Sequence, residues 1–366
     1  MPDEPVTADR AVSADRALPA DRDSLADGRD LDRRDRPTPS DDLHRRLDQL
    51  PPGHPSSPNE PDGARRTQTP RCRDLDDESG LEDRPHVDEA LRYTDPEWAD
   101  HKVELRDGLR DASDAELDSK VQHTTDPDQE QWTPERDRIH GEIVQELYER
   151  ASHVPCDRLS IIAGGLPGAG KTTILRDHAG IDLSKYLMVN PDIGKEELAL
   201  RGLIPHVPGL SPMEASDLVH EESSVIAKQL AHKAIQDGKN LIWDITMSRE
   251  DTTKDRIDAL RSAGYRVDGL FIDVPIDLSI RRADARHREG EDLYRAGIGL
   301  GGRYVPPEVI LAQADPDWGS GNRKSFESVN PHFDHWVRYD NSVDDRPAQL
   351  VETSPHTDGD PEETTV

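Results

Sequence analysis

Eight consecutive residues, Gly165, Leu166, Pro167, Gly168, Ala169, Gly170, Lys171 and Thr172, match the pattern GxxxxGK[ST], and Thr173 follows them. Glycines let a backbone wrap closely around a phosphate. The N-terminus of the helix that follows turns its N–H groups toward the anion. Lys171 is placed to reach terminal phosphates, and the Thr172 hydroxyl to meet Mg²⁺. The pattern has this meaning only between a strand and a helix. Residues 159–163 read as a short buried strand and 171–179 as a helix. Context and pattern agree, against the plainer reading of a glycine-rich turn. They predict a site for ATP or GTP with Mg²⁺.

The elements that must position this loop follow an alternating pattern. Strand-like stretches recur at 186–189, 240–243, 267–274 and 336–339, and helical ones at 211–236, 249–263, 276–288 and 306–314. Short apolar strands separated by such helices predict an α/β fold, a P-loop NTPase fold whose mostly parallel sheet is flanked by helices. Ligands of such sheets sit beyond the carboxyl ends of the strands. Polar residues that follow strands are therefore the candidates. Asn190-Pro191-Asp192 follows the second strand, and Asp244 to Arg249 follows the third. The helix after the fourth strand carries Arg286 and Arg288, and a loop leads from it to Arg303.

A phosphotransferase needs a group to deprotonate its acceptor and positive charge against the transferred phosphoryl group. Asp192 suits the first role. It also suits a plain helix cap for a helix beginning at Ile193. Arg286 and Arg303 suit the second role, because the guanidinium fork matches phosphate oxygens. Solvated surface charge is the alternative. Asp244 and Thr246 read equally as turn residues. The glycine-rich run 297–303 is either a lid hinge or a flexible linker. Asp273, near its strand's end, could organise a metal.

Upstream, 102–121 has a thin helical pattern. Thr133 and Pro134 fit the cap and first position of a helix, with Glu135 in its first turn. Ile139, Ile143 and Leu147 make one face, beside Val144, and predict packing on the nucleotide domain. Trp132 reads as an anchor before that helix.

Composition divides the chain. Residues 1–90 hold 23 Asp or Glu against 14 Lys or Arg and offer little to a core. The reading is an acidic, mostly disordered segment over 1–100, a kinase domain with a helical extension over 101–342, and a disordered tail over 343–366. The net charge of −30 argues against broad nucleic-acid binding. Cys72 and Cys156 provide neither a disulfide framework nor metal-ligand spacing. No signal peptide or membrane-spanning run is visible, so a cytoplasmic location is expected.

The ordered set of Gly165–Thr173, Val189-Asn190-Pro191-Asp192, Trp243 to Arg249, the Arg286 segment and Gly302 to Pro306 resembles the zeta-toxin family over about 130–342. These are P-loop kinases of toxin–antitoxin systems. The resemblance implies an ATP-dependent kinase acting on a small-molecule hydroxyl, the amino-sugar 3′-hydroxyl of UDP-N-acetylglucosamine, with an antitoxin protein as partner. It implies Lys171 as the phosphate-loop lysine and Asp192 as the catalytic base. Arg286 and Arg303 would be the phosphate-directed arginines, and Asp244, Thr246 and Arg249 substrate contacts. A further acid in the long helix falls on Glu221 or Glu222, with Glu222 favoured. The competing functions are a P-loop ATPase or nucleotide switch, and an interaction protein that uses the acidic N-terminal segment.

Overall fold

Parallel strands buried on both faces are the framework on which the site is built. The computed structural model describes residues 87–126, 131–344 and 346–355. The disorder expected within 1–86 and from 356 onward lies outside the described residues. Six strands form the main sheet: β3 (Leu159–Gly164), β4 (Leu187–Val189), β5 (Leu241–Asp244), β6 (Arg266–Asp273), β9 (His335–Asp340) and β10 (Gln349–Thr353), in the order β10-β9-β6-β3-β5-β4. Two short hairpins lie outside it, β1–β2 (Thr124–Asp126, Gln131–Trp132) and β7–β8 (Ala314–Asp315, Gly319–Ser320). All pairings in the main sheet are parallel except β10 on β9. The expected mostly parallel α/β sheet is present.

Alternation along β3 shows why both faces must be covered. Ile162 enters one apolar cluster, with Trp243, Phe271, Phe326 and the helical Ile226 and Leu230. Ile161 and Ala163 enter the other, with Ile174, Leu175 and Leu278. Each fully buried side chain of this size contributes about 1.5–3 kcal/mol. With β3 central, β4 and β5 lie to one side and β6 to the other. The carboxyl ends of β3, β4 and β5 therefore open on one crevice.

The helices, in chain order, are α1 (Asp95–Asp114), α2 (Ser119–His123), α3 (Pro134–Arg150), α4 (Lys171–Thr173), α5 (Pro191–Leu200), α6 (His220–Asp237), α7 (Glu250–Ser262), α8 (Ile276–Arg295), α9 (Pro307–Leu311) and α10 (Gly321–Val329). In α3, the Thr133 hydroxyl accepts from the Arg136 N–H at 3.4 Å, and Ile143, Val144 and Leu147 are buried as their spacing predicts. Trp132 is buried and meets His140 edge-on.

Several boundaries differ from expectation. Helix α1 begins at Asp95, not 102, because Thr94 and Glu97 form a reciprocal capping box. The chain is thus ordered within the stretch read as the acidic segment. The helix expected over 171–179 tightens into α4 and then widens into a π-turn over Ile174–His178. The one expected over 211–236 begins as a 3-10 turn, Glu214–Val219. Strand β10 lies in the stretch read as tail; its antiparallel pairing to β9 supplies backbone partners that composition does not reveal. Among the described residues no helix is long and apolar enough to cross a membrane.

Candidate active site

The phosphate loop turns sharply after β3. Gly165 has φ +143°, and a Cβ there would lie 2.7 Å from the Ile272 carbonyl, so only glycine fits. Its N–H donates to the Thr246 carbonyl, which ties the loop to the segment after β5. Ser279 of α8 donates to the Pro167 carbonyl at 2.6 Å, and the Asn341 amide donates to the Ala169 carbonyl at 2.9 Å. Leu166 and Ala169 are buried. The motif's polar members face outward from this support: Lys171, Thr172 and Thr173 are half-buried at the start of α4. The first N–H groups of a helix have no partner within it.

A continuous chain of side chains runs from the loop across the crevice. Lys171 Nζ donates to the Gly165 carbonyl at 3.2 Å and lies 3.5 Å from Asp244 Oδ1. The other oxygen of Asp244 accepts from the Asn190 amide at 2.9 Å. Asn190 accepts in turn from the Asp192 N–H at 2.8 Å, and the Asp192 carboxylate is bonded to Arg303. Asn190 is therefore the cap of α5, which begins at Pro191. The capping role weighed for Asp192 is excluded, and its carboxylate is left for the crevice.

Charge around Asp192 is strongly one-sided. Burial pushes its carboxyl up, but the charges of Arg303, Lys195 and Arg286 outweigh that and hold it below its ordinary value of 3.8. Lys195, one helical turn further along α5, is buried, and burial lowers its ammonium against the pull of Asp192. Sequence reading missed Lys195. Its i+3 spacing from Asp192 was the available signal.

Arg303, from the loop after α8, is bonded to Asp192, whereas Arg286 on α8 is exposed and acts on it through its charge. The glycines of that loop are not a free hinge. A Cβ on Gly302 would lie 2.0 Å from the His287 carbonyl, and one on Gly290 would lie 2.4 Å from the Gly302 Cα. Loop and helix meet backbone to backbone, so Gly301 and Gly302 are clamped to α8. Only Gly297 and Gly299 have open space around them.

The substrate residues expected after β5 are only partly gathered. Asp244 is in the crevice. Thr246 is exposed, its hydroxyl donating to Ser248 at 3.2 Å. Between them and α7, Met247 adopts φ +54° with its side chain buried under Gly164. A left-handed non-glycine residue costs about 1–3 kcal/mol and marks a segment whose course is imposed by its surroundings. Arg249, just before α7, pairs with Asp251 at 3.0 Å on the surface.

Glu222 is not in the crevice. It is fully buried between α3 and α6, 2.8 Å from His140 Nε2 and 3.3 Å from Arg136. Burial pushes its carboxyl up, but His140 and Arg136 hold it below its ordinary value. The choice of Glu222 as a substrate contact is therefore corrected: the register of α6 turns it into the protein. Glu221, half-buried, acts on Lys195 with its charge, as do Asp192 and Asp217. Asp273 is also engaged, clamped by Arg323 and by Arg338 at 3.0 Å, which leaves it unsuited to organise a metal.

A second polar cluster was not legible in the sequence. His101, Glu214 and Glu291 bring one ligand atom each within 4.8 Å of one another, a group able to hold a metal ion. Their atoms are already engaged. Glu214 Oε1 accepts from His101 at 2.6 Å and from His287 at 2.8 Å. Glu291 Oε1 accepts from Ser211 Oγ at 2.5 Å and from the Gly302 N–H at 2.7 Å. Burial, with Glu214 beside it, pushes Glu291 up to about 7.

Residues 147–317, from the end of α3 past the Arg303 loop, match the family described as Zeta toxin. No curated protein matches the chain. Two solved structures of the AvrRxo1-ORF1:AvrRxo1-ORF2 complex, one with sulphate ions and one with ATP, are each 20% identical, with 61% of this chain and 68% of that chain covered and a TM-score of 0.46. A structure from the PezAT chromosomal toxin–antitoxin system of Streptococcus pneumoniae is 19% identical, with 61% and 81% covered and a TM-score of 0.43. The stretch that matches the Zeta toxin family holds the phosphate loop, Asp192 and both arginines.

Proposed function

We propose that this protein transfers the terminal phosphoryl group of ATP or GTP to a hydroxyl of a small molecule, most specifically the amino-sugar 3′-hydroxyl of UDP-N-acetylglucosamine, and acts as the toxin of a toxin–antitoxin pair. The observation that carries the proposal is the unbroken series Lys171, Asp244, Asn190, Asp192, Arg303. It joins the lysine of the phosphate loop, through Asp244 and Asn190, to a carboxylate able to take a proton.

In this reading Asp192 accepts the proton of the acceptor hydroxyl as its oxygen attacks the terminal phosphorus. The bond to the bridging oxygen breaks, and the nucleoside diphosphate leaves. The lowered pKa keeps Asp192 ionised at neutral pH, in the form that accepts a proton. Arg303 has five N–H donors, so it can hold Asp192 with one and turn others to phosphoryl oxygens. Arg286 adds charge from α8, and Lys171 neutralises the terminal phosphates. The Thr172 hydroxyl, a hard oxygen donor at the loop's end, fits Mg²⁺, which when bound offsets charge on the phosphates. In this reading Asp244 contacts the acceptor from the crevice, and Thr246 from the exposed segment that follows β5. Glu221, not Glu222, is the further acid on that side.

The test is direct. Protein incubated with labelled ATP and UDP-N-acetylglucosamine is expected to yield a phosphorylated sugar nucleotide and ADP. Absence of transfer to that compound and to a panel of sugar nucleotides would overturn the substrate class. Steady hydrolysis without any acceptor, unchanged in Asp192→Asn, would favour an ATPase.

A further inference from the structure

Helix α1 lies wholly outside the matched stretch 147–317, yet its buried side chains converge on the part of the molecule that carries the two arginines. Trp98 packs edge-on against His287 of α8, ring centroids 4.7 Å apart, and its indole N–H donates to Asp284 at 3.3 Å. His101 donates to the same Glu214 oxygen that holds His287. A carboxylate between two imidazoles accepts a hydrogen bond from each, which fixes both rings with their Nε2 protonated. His287 is the neighbour of Arg286 in sequence, and its carbonyl is the surface on which Gly302 lies.

The same junction holds the second arginine. Ser211, three residues before Glu214, donates its N–H to the free Glu214 oxygen at 3.1 Å and its hydroxyl to Glu291. Glu291 accepts the N–H of Gly302, the residue before Arg303. Glu214, Glu291 and His287 are each almost fully buried. Arg286 and Arg303 therefore sit on one rigid unit, and α1 is the outer wall of that unit.

We propose that α1 is a positioning element of the transfer site, and that His101 in particular sets the placement of Arg286 and Arg303 through Glu214, His287 and Glu291; this rests on the phosphotransferase reading above. His101 touches neither substrate nor phosphate. It acts by holding the same Glu214 oxygen that holds His287, so that carboxylate, ring and glycine loop have one arrangement. Supporting groups of this kind hold a reacting constellation to within about 0.5 Å. A misplacement of about 1 Å can cost on the order of 100-fold in rate.

The experiment uses the full chain and four variants. His101→Leu removes the donor to Glu214. His101→Gln keeps an N–H at the corresponding reach. His101→Asn, whose amide falls short, serves in place of the leucine variant should that fail to fold. Leu147→Ala, in the core of α3, lowers stability without touching the junction. The expected result is a fall in kcat of about 10- to 100-fold in His101→Leu with KM for ATP within about twofold of the parent. His101→Gln is expected to recover most of kcat, and Leu147→Ala to keep the parent's kcat per folded molecule. A second readout does not need activity: amide hydrogen exchange across residues 300–304 is expected to accelerate in His101→Leu and not in Leu147→Ala. Unchanged exchange there, or an equal kcat loss in Leu147→Ala, would overturn the positioning role. Accelerated exchange in His101→Leu, together with a parent that transfers phosphate to no acceptor, would leave the junction standing and remove only the phosphotransferase reading.

Discussion

In the proposed reaction the phosphate loop and the arginine unit both aim positive charge at phosphate, and they differ in how they are specified. The loop's signal is local. Eight residues, a strand before them and a helix after them spell it out, although the groups that support it, at Thr246, Ile272, Ser279 and Asn341, come from farther along the chain. The arginine unit is remote. Arg286 and Arg303 are placed by a junction that joins α1, the turn at Ser211 to Glu214, and α8, with partners separated by 113 positions between His101 and Glu214 and by 73 between Glu214 and His287. A local signal is legible without the distant partners that support it. Remote construction makes catalysis sensitive to residues that never approach the substrate.

The largest expected effect tests the local half. Lys171→Ala removes the charge at the terminal phosphates and is expected to lower turnover on the order of 10³-fold or more with the fold intact, as read by steady-state kinetics and thermal melting. Turnover within about tenfold of the parent would remove Lys171 from the chemistry.

Asp192→Asn, where the two halves meet, is expected to cost about 10²–10⁴-fold in turnover while ATP affinity holds, since the nucleotide is gripped by Gly165–Thr172. Stability is expected to change little, because Asn190 makes the cap. The pH dependence has a definite sign. The folded-state pKa of Asp192 lies below 3.8, so its ion-pair stabilisation is complete above about pH 4 and is lost as pH falls through that lower value. The kcat/KM profile should accordingly show no acid limb from Asp192 above about pH 4. An acid limb near pH 6 that vanishes in the variant would show that Arg303 does not hold Asp192 in solution.

Glu222→Ala separates scaffold from site. It leaves Arg136 and His140 facing a lost partner in the interior and is expected to destabilise by about 3–5 kcal/mol in urea unfolding. Kinetic constants of the folded protein are expected to stay near the parent's. A raised KM for the acceptor with unchanged stability would return Glu222 to the substrate site. Glu221→Gln is the matched variant, expected to raise that KM while hardly changing stability.

The smallest effect sharpens the remote half. Gly302→Ala forces a methyl group against the His287 carbonyl and is expected to lower kcat about tenfold, with KM for ATP unchanged. Gly299→Ala, where φ is +76° but the surroundings are open, is the control that carries backbone strain without the clash. Equal losses in both would mean that the loop's flexibility matters and its clamping does not.

How much of this was legible in sequence follows the same division. The strand, loop and helix around Gly165–Thr172 are spelled out by residue type and short spacing, and so is α3, from Thr133 through its apolar stripe. The parallel sheet follows from alternation, because apolar runs covered on both faces leave few other architectures. Asp192 was legible as a polar residue after a strand, whereas the cap at Asn190 was not, because both residue types cap equally well and only the backbone decides between them. Glu221 and Glu222 show the limit most plainly. One step of α6 is about 100° of rotation, so sequence placed an acid near the site while packing against Arg136 and His140 decided which of the two points inward. The glycine run 297–303 read as flexible because glycine is permissive. Tertiary contact with Gly290 and His287 turned two of those glycines into the closest backbone approach of the unit. His101, Glu214, His287 and Glu291 carried no sequence signal at all. Buried charges acquire meaning only from partners, and here the partners are brought together by the folding of distant segments, not by spacing along the chain.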